Sequence, residues 1–260
     1  MKKYRSVYIT LSRFRSGSPA FCFAKTKQRR YKQVLRAGIQ WGISSLLAAF
    51  GFFFFLGLSG CVNSSIKNIE ARGYNIICFG DSITMGYGVD PGQDYPSFLA
   101  RLVNLRVINA GIDGETSTEA IQRVETDVLN KDPLLVIVEF GGNDFLKKVP
   151  LEETLKNTEN IVKKILASGA MVAIADVSAN VVMENYRKGF KRLSKQYGTI
   201  FIPELLNGII TNPAFKSDFI HPNPAGYRVI AHRVYRAIFP YLNRNLILRR
   251  LKEEIPNLPK

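Results

Sequence analysis

The stretch LLVIVEFGGND, residues 134–144, indicates the fold more clearly than any other part of the chain. Its first seven residues are apolar except for Glu139, and several of them are β-branched. A continuous apolar run of this kind is typical of a parallel strand that is buried on both faces of a sheet. The run then changes to the small and polar residues 141–144, as expected where such a strand ends in a loop.

Four further runs have the same character: Asn75–Phe79, Leu105–Asn109, Met171–Asp176 and Thr199–Ile202. Amphipathic segments lie between the runs. One is followed by Gly169, a residue type that often ends a helix. The apolar face of this segment consists of Leu151, Leu155, Ile161, Val162, Ile165 and Leu166. Another begins with Asn223 as a helix cap and Pro224 at the first helical position. This alternation predicts an α/β fold, a doubly wound three-layer α/β/α sandwich with about five parallel strands.

The chain divides by composition into a leader and one folded domain. We expect a basic leader with an apolar signal or anchor segment over residues 1–60 and a linker over 61–73. The domain is predicted for 74–245 and a C-terminal tail for 246–260. The charge supports this division, because residues 1–60 contain 11 of the 36 Lys and Arg residues and no acidic residue. The rest has 25 basic against 21 acidic residues, which argues against a domain that binds nucleic acid.

The leader ends in the apolar run Ile43–Ser59, followed by Gly60 and Cys61. A basic region, an apolar region and small residues before a cleavage point describe an export signal. The sequence Leu58-Ser59-Gly60-Cys61 resembles the lipobox of bacterial lipoproteins, which implies a diacylated Cys61 at the mature N-terminus. The alternative is an uncut membrane anchor, because 17 residues are just enough to span a bilayer at about 17–25 residues per span. Both interpretations predict a membrane-tethered protein with its domain outside the cytoplasm.

Polar residues cluster where the predicted strands end. Ser82 follows the first strand, residues 109–116 the second, residues 141–144 the third, and Asp218 to Pro222 lie near the C-terminus. In a doubly wound sheet, ligands bind outside the carboxyl ends of the strands. We therefore expect these clusters to form one site.

The residue types in these clusters suit acyl transfer by a serine. A serine hydroxyl needs a base within hydrogen-bond reach, the base must be held in one tautomer, and the oxyanion needs donors. Ser82 at a helix start is the candidate nucleophile, with His221 as base and Asp218 as its orienting partner. The side chain of Asn143 and the backbone at Gly114 are the candidate oxyanion donors beside the Ser82 N–H.

Four segments in this order, FGDSIT, NAGIDGETS, EFGGND and DFIHPN, resemble the signature blocks of the SGNH (GDSL-like) hydrolases. The resemblance covers roughly residues 74–240 and is greatest to the bacterial acyl-CoA thioesterase I/lysophospholipase type. It implies the flavodoxin-like fold of that family and a serine esterase. Matched position by position, it assigns Ser82, Asp218 and His221 to catalysis, and Ser82, Gly114 and Asn143 to the oxyanion hole.

Residues beside these blocks have supporting roles in this interpretation. Asp81 and Asp144 are expected to brace the loops by hydrogen bonds. Four apolar or aromatic residues could line an acyl pocket or simply pack: Tyr87, Phe145, Leu146 and Phe219. The expected substrate is a lipid, aryl or acetyl ester, or a thioester. No metal or cofactor is expected, and the protein is expected to be a monomer.

Other functions remain as alternatives. A dinuclear metallophosphoesterase would need several histidines, but the chain has two. The glycine spacings of nucleotide-binding loops are not matched, and Thr84 stands where an α/β-hydrolase nucleophile motif has its second glycine. A carbohydrate O-acetyl esterase or a non-catalytic binding lipoprotein on the same fold stays open.

Overall fold

The structure is a computed structural model that describes residues 66–178 and 183–254. The leader, the apolar run Ile43–Ser59 and Cys61 lie outside the described residues. One sheet of five parallel strands forms the centre, in the order β2-β1-β3-β4-β5. The strands are β1 (Asn75–Gly80), β2 (Arg106–Gly111), β3 (Pro133–Glu139), β4 (Met171–Ala175) and β5 (Ile200–Ile202).

Seven α-helices connect and cover these strands in the described part. They are α1 (Ser82–Met85), α2 (Tyr95–Val103), α3 (Ser117–Asp127), α4 (Gly142–Leu146), α5 (Leu151–Ala167), α6 (Glu184–Tyr197) and α7 (Pro224–Glu254). Short 3₁₀ turns occupy Leu129–Lys131 and Pro213–Phe215. The predicted doubly wound α/β sandwich is thus confirmed. All five predicted strands are present, with ends displaced by no more than two residues.

The strand order places a topological switch point between β1 and β3. The chain leaves β1 for β2 on one side, and then crosses back to β3 on the other side. The loops that follow β1 and β3 therefore diverge and leave a crevice at the carboxyl edge of the sheet. Ser82 and Asn143 lie at the starts of α1 and α4, directly after these two loops, so the fold itself brings these predicted site residues to one crevice.

Side chains of the strands alternate between two cores, one on each face of the sheet. Ile76 and Cys78 face one core with α2 and α7, whereas Ile77 and Phe79 face the other with α3, α5 and α6. All four side chains are fully buried. Burial on both faces explains why the strand sequences are continuously apolar.

The structure differs from the sequence-based expectation at both ends of the domain. Residues 66–72, expected to be linker, fold onto the domain: Ile66 and Ala71 are buried, and Asn68 donates to the carbonyls of Leu166 and Ala170 at 2.8 and 2.9 Å. Residues 246–254, expected to be tail, continue α7 to Glu254. Within residues 66–178 and 183–254, no helix combines the length and apolar character needed to cross a membrane.

Candidate active site

Ser82 stands at the junction of β1 and α1, where the backbone turns sharply. Asp81 caps α1, because its Oδ1 accepts a hydrogen bond from the Ile83 N–H at 3.0 Å. Gly80 makes this turn possible, since a Cβ there would lie 2.2 Å from Thr84 Oγ1 and 2.7 Å from the Glu139 carbonyl oxygen. The turn presents the Ser82 hydroxyl at the crevice while most of the residue is buried.

The three residues predicted as a triad form one hydrogen-bonded chain. His221 Nε2 lies 3.1 Å from Ser82 Oγ, and His221 Nδ1 lies 2.8 Å from Asp218 Oδ2. The other carboxylate oxygen of Asp218 accepts from the backbone N–H groups of Ile220 and His221 at 2.9 and 2.8 Å. Asp218 thus fixes both the loop backbone and the ring, so the imidazole presents Nε2 to the serine.

The pKa of Asp218 is about 2, below its ordinary value. Partial burial acts to raise this pKa, but the hydrogen bonds from the His221 ring, the His221 backbone and the Ile220 backbone outweigh it. Asp218 is therefore a carboxylate at neutral pH. A carboxylate at Nδ1 favours a proton on that nitrogen and leaves Nε2 free to accept one.

Tyr87 supports the base from the side. Its ring lies against the His221 ring, with centroids 4.3 Å apart, and its carbonyl accepts from the Tyr227 hydroxyl at 3.1 Å. Tyr87 was expected either to line an acyl pocket or simply to pack. It packs on the imidazole and is absent from the lining of the cavity described below.

Asn143 and Gly114 reach the same crevice from the loops after β3 and β2. Gly114 has φ +72°, and Lys147 Nζ donates to its carbonyl at 2.8 Å. Asn143 Nδ2 donates to Asp81 Oδ2 and to the Glu115 carbonyl, both at 3.1 Å. Both hydrogens of this amide are thus engaged in the free protein. To serve an oxyanion, Asn143 must share or exchange one of them, a change that catalytic hydrogen bonds often make on substrate binding.

A buried acid pair, Glu139 and Asp81, lies beneath these groups and was not among the predicted site features, although Glu139 is the one charged residue of its apolar run. Glu139 is fully buried beside the Asp81 carboxyl, accepts from Thr84 Oγ1 at 2.6 Å through Oε2, and has no hydrogen-bond partner for Oε1 among the described residues. Burial raises the pKa of Glu139 well above its usual range and that of Asp81 to about 7. Two carboxyls in such contact hold one proton between them.

The predicted loop-bracing role of Asp144 agrees with its contacts. This carboxylate is fully buried and accepts from the backbone and hydroxyl of Ser117 and from Thr154 Oγ1. It therefore ties the loop after β3 to the start of α3. Arg123 is a second brace that sequence reasoning missed: it binds both carboxylate oxygens of Glu115, one residue after Gly114, and reaches the Gly80 carbonyl.

An apolar cavity of about 310 Å³ opens beside Ser82. Phe145 and Leu146 line it, as expected for an acyl pocket, but Phe219 does not, since 91% of it is exposed to solvent. The remaining apolar wall comes from segments after β4 and β5, which sequence reasoning did not include (Val177, Met183, Leu206, Ile210), and from Ile220. A larger open cavity of about 700 Å³ lies around residues 68–73 and contains none of the predicted site residues.

Several known proteins resemble this chain in sequence. Esterase TesA of Pseudomonas aeruginosa is 26% identical over 71% of this chain and 98% of its own length. A thioesterase, protease and lysophospholipase of Escherichia coli is 25% identical over 65% of this chain and 86% of its own. An uncharacterized lipoprotein of Bacillus subtilis, YqeF, is 40% identical over 29% of this chain and 34% of its own.

Solved structures agree with this picture. The crystal structure of TesA superposes with a TM-score of 0.59 at 26% identity, over 64% of this chain and 99% of that one. The esterase EstA of Pseudoalteromonas sp., in a structure inhibited by monoethylphosphonate, superposes with a TM-score of 0.59 at 26% identity. The match covers 65% of this chain and 99% of that one. A two-domain esterase active on acetylated mannans superposes with a TM-score of 0.54 at 26% identity. The match covers 67% of this chain and 50% of that one.

The family model of the GDSL-like lipases and acylhydrolases matches residues 78–229, which include every segment that forms the crevice at the carboxyl ends of β1, β2 and β3. That match covers more than half of the chain. The parallel sheet of the chain is the fold of the SGNH esterases that superpose on it, and the relative TesA is an esterase. This chain belongs to the GDSL-like lipase/acylhydrolase family.

Proposed function

We propose that the chain hydrolyses carboxylic esters, thioesters included, through an acyl-enzyme on Ser82. The observation that carries the proposal is the unbroken hydrogen-bond chain from Asp218 through His221 to Ser82. A serine hydroxyl alone is a weak nucleophile, and an oriented imidazole within hydrogen-bond reach is what activates it. The membership of the family supports the same reaction class.

Each residue has a defined part in this mechanism. His221 Nε2 takes the proton from Ser82 Oγ as that oxygen bonds to the substrate carbonyl carbon. Asp218 stabilises the resulting imidazolium through Nδ1. The negative charge on the former carbonyl oxygen receives hydrogen bonds from the backbone N–H groups of Ser82 and Gly114 and from Asn143.

The tetrahedral intermediate then collapses and its bond to the leaving oxygen or sulfur breaks. His221 gives its proton to that alcohol or thiol, which departs. A water molecule repeats the sequence on the acyl-enzyme, with His221 again accepting a proton, and releases the carboxylic acid and free Ser82.

The cavity beside Ser82 defines the acyl side of the substrate. Its walls are mainly aliphatic, and its 310 Å³ lies at the lower end of the ~300–1,000 Å³ range of ligand pockets. We propose that it accepts acyl chains of short to medium length. Relatives and neighbours described as esterase, thioesterase, lysophospholipase and acetyl-mannan esterase support the ester class without selecting one substrate.

Hydrolysis rates on p-nitrophenyl esters from acetate to palmitate test this proposal. We expect kcat/KM to be highest at an intermediate chain length. Leu206→Phe, which fills the cavity wall, should shift that maximum toward acetate, because a small pocket rejects added methylenes by about 10–200-fold each. Leu246→Phe makes the same chemical change on the exposed surface of α7 and is the matched control.

The outcomes distinguish the candidates. An unchanged profile in Leu206→Phe, with an unchanged thermal midpoint, would contradict the acyl role of the cavity. Activity on acetate alone in the wild type would favour the carbohydrate O-acetyl esterase. Absence of hydrolysis across the series would favour the non-catalytic binding lipoprotein.

We also propose that the domain is tethered to a membrane and exported, as a lipoprotein at Cys61 or through the uncut Ile43–Ser59 segment. The Leu58-Ser59-Gly60-Cys61 sequence and the lipoprotein among the relatives support this. Two acyl chains give stable anchoring where one gives only marginal binding. Mass spectrometry of the mature N-terminus decides: a diacylated Cys61 is expected, and an intact unacylated segment upstream of it would leave only the uncut anchor.

A further inference from the structure

The C-terminal half of α7 has an unusual exposed face. Three aliphatic side chains lie on it with 37–50% of their surface exposed: Leu246, Ile247 and Leu251. The neighbouring Arg244 and Arg250 are exposed as well. The acidic residues of this helix are confined to its end, at Glu253 and Glu254. We call this combination of aliphatic and basic side chains over residues 244–251 the α7 face.

The α7 face lies beside the point where the chain enters the domain. Asn245 donates to the carbonyls of Ile69 and Ala71 at 2.7 and 3.0 Å, and Arg249 donates to that of Gly73 at 3.2 Å. Lys252 forms an ion pair with Glu70. These contacts fix residues 69–73 against the same half of α7, so the entering chain and the α7 face belong to one end of the molecule.

Little chain separates that end from the apolar leader segment. Only residues 60–65 lie between Ser59 and Ile66. Six residues span at most about 20 Å when fully extended. Whichever tether holds the chain, at Cys61 or at residues 43–59, this end of the domain cannot lie far from the lipid surface.

We propose that the α7 face rests on the anionic lipid surface to which the N-terminus is tethered. Aliphatic side chains flanked by Arg suit an interface in which the apolar groups enter the headgroup boundary and the cations meet anionic headgroups. The proposal rests on the proposed tether, and not on the proposed esterase reaction.

This orientation determines which esters can reach the site. The active site lies at the opposite end of β1 from the α7 face. Arg249 contacts Gly73, which precedes β1, whereas Ser82 follows β1. Along α7, 23 residue steps separate Pro224, close to His221, from Ile247, about 35 Å at ~1.5 Å per residue. The crevice therefore opens away from the bilayer, toward water-borne esters rather than lipids of the same membrane.

Tryptophan quenching by brominated lipids tests the orientation in the full chain. The single native tryptophan, Trp41, is first changed to Phe. One variant then carries Ile247→Trp on the α7 face, and the matched probe carries Phe219→Trp beside the active site, where the side chain is exposed. Both are reconstituted into vesicles of brominated phosphatidylglycerol and, separately, of brominated phosphatidylcholine.

We expect the tryptophan at 247 to lose most of its emission in phosphatidylglycerol and less in phosphatidylcholine, with the tryptophan at 219 bright in both. Adding Arg244→Glu and Arg250→Glu should restore the emission at 247. Lys191→Glu with Arg192→Glu, exposed on α6 across the sheet, should not restore it.

An unquenched tryptophan at 247, or stronger quenching at 219 than at 247, would overturn the proposal; the second result would mean that the site faces the bilayer. Hydrolysis of p-nitrophenyl butyrate by the same vesicles is measured in parallel. Its loss would speak against the esterase reaction and leave the orientation result intact.

Discussion

At the scale of single residues, two buried carboxyls, Glu139 and Asp81, lie beneath the Ser82 turn. Burial raises the pKa of both carboxyls and favours one proton held between them. Asp81 in turn caps α1 at Ile83 and accepts from the Asn143 amide. When Glu139 is protonated it can donate a hydrogen bond to Asp81, and the Asp81 carboxylate can still accept a hydrogen bond from Asn143. Glu139 is therefore a positioning residue, and its effect on catalysis passes through Asp81 to the oxyanion donor.

Substitution of Glu139 tests this relay. Glu139→Gln keeps a donor toward Asp81 and should retain kcat within about tenfold. Glu139→Ala removes the donor and should lower kcat with little change in KM, by no more than the ~10²–10³ expected for loss of an oxyanion donor. Asn143→Ala is the reference for that ceiling. Equal loss in both Glu139 variants, with KM rising in parallel, would indicate a purely structural role.

The same pair makes the stability depend on pH. The pKa of Asp81 in the folded protein, about 7, lies above its value in the unfolded chain, so the folded state holds the extra proton between about pH 4 and pH 7. This contribution to stability is complete at low pH and is lost as pH rises through 7. Urea unfolding at pH 5 and pH 8 should show a smaller loss in Glu139→Gln than in wild type.

The residues that sequence reasoning found and those it missed differ in a physical way. Ser82, Asn143, Asp218 and His221 are polar groups in loops at strand ends, where a reactive group stands out against the apolar strands. Glu139 is the last residue of β3 and belongs to its apolar run, and its partners come from segments that are not adjacent to it in sequence. The short Asp81–Ser82 turn does not reveal that a carboxyl from β3 lies beneath it, because only the folded sheet brings the two strands together.

At the scale of helices and strands, prediction succeeded where apolar side chains carry the signal. The five strands and helices α5 and α7 begin as expected, and Asn223 caps α7 by accepting from the Gly226 N–H at 3.0 Å. The ends of the domain were missed for the opposite reason. Residues 66–72 are held by hydrogen bonds from Asn68 and Asn245 to backbone carbonyls, and such contacts leave no periodic pattern in the sequence.

The acyl cavity shows the same limit at the level of elements. Phe145 and Leu146 directly follow the Asn143 segment and were found by that proximity. Leu206 and Ile210 belong to the segment after β5, and nothing near them in the sequence marks a site. They line the cavity beside Ser82 because β4 pairs with β3 and β5 pairs with β4, so their contribution depends on strand order rather than on local sequence.

At the scale of the whole molecule, the two ends of the sheet have different tasks. Ser82 follows the carboxyl end of β1 and is hydrogen-bonded there to His221 and Asp218, which lie in the segment before α7, whereas the amino end of the sheet carries the entering chain and the α7 face. If the domain is tethered as we propose, this separation directs its site to the aqueous phase. The proposed acyl-enzyme reaction at this site depends first on Ser82 as the nucleophile.

The rate of hydrolysis of p-nitrophenyl butyrate by Ser82→Ala tests that claim most directly. We expect kcat to fall by about 10⁴–10⁶, and His221→Ala combined with Ser82→Ala to cost hardly more, because triad members act as a unit. Thermal unfolding of each variant shows that the fold is retained. A folded Ser82→Ala enzyme that keeps a tenth of the wild-type kcat would contradict the assignment.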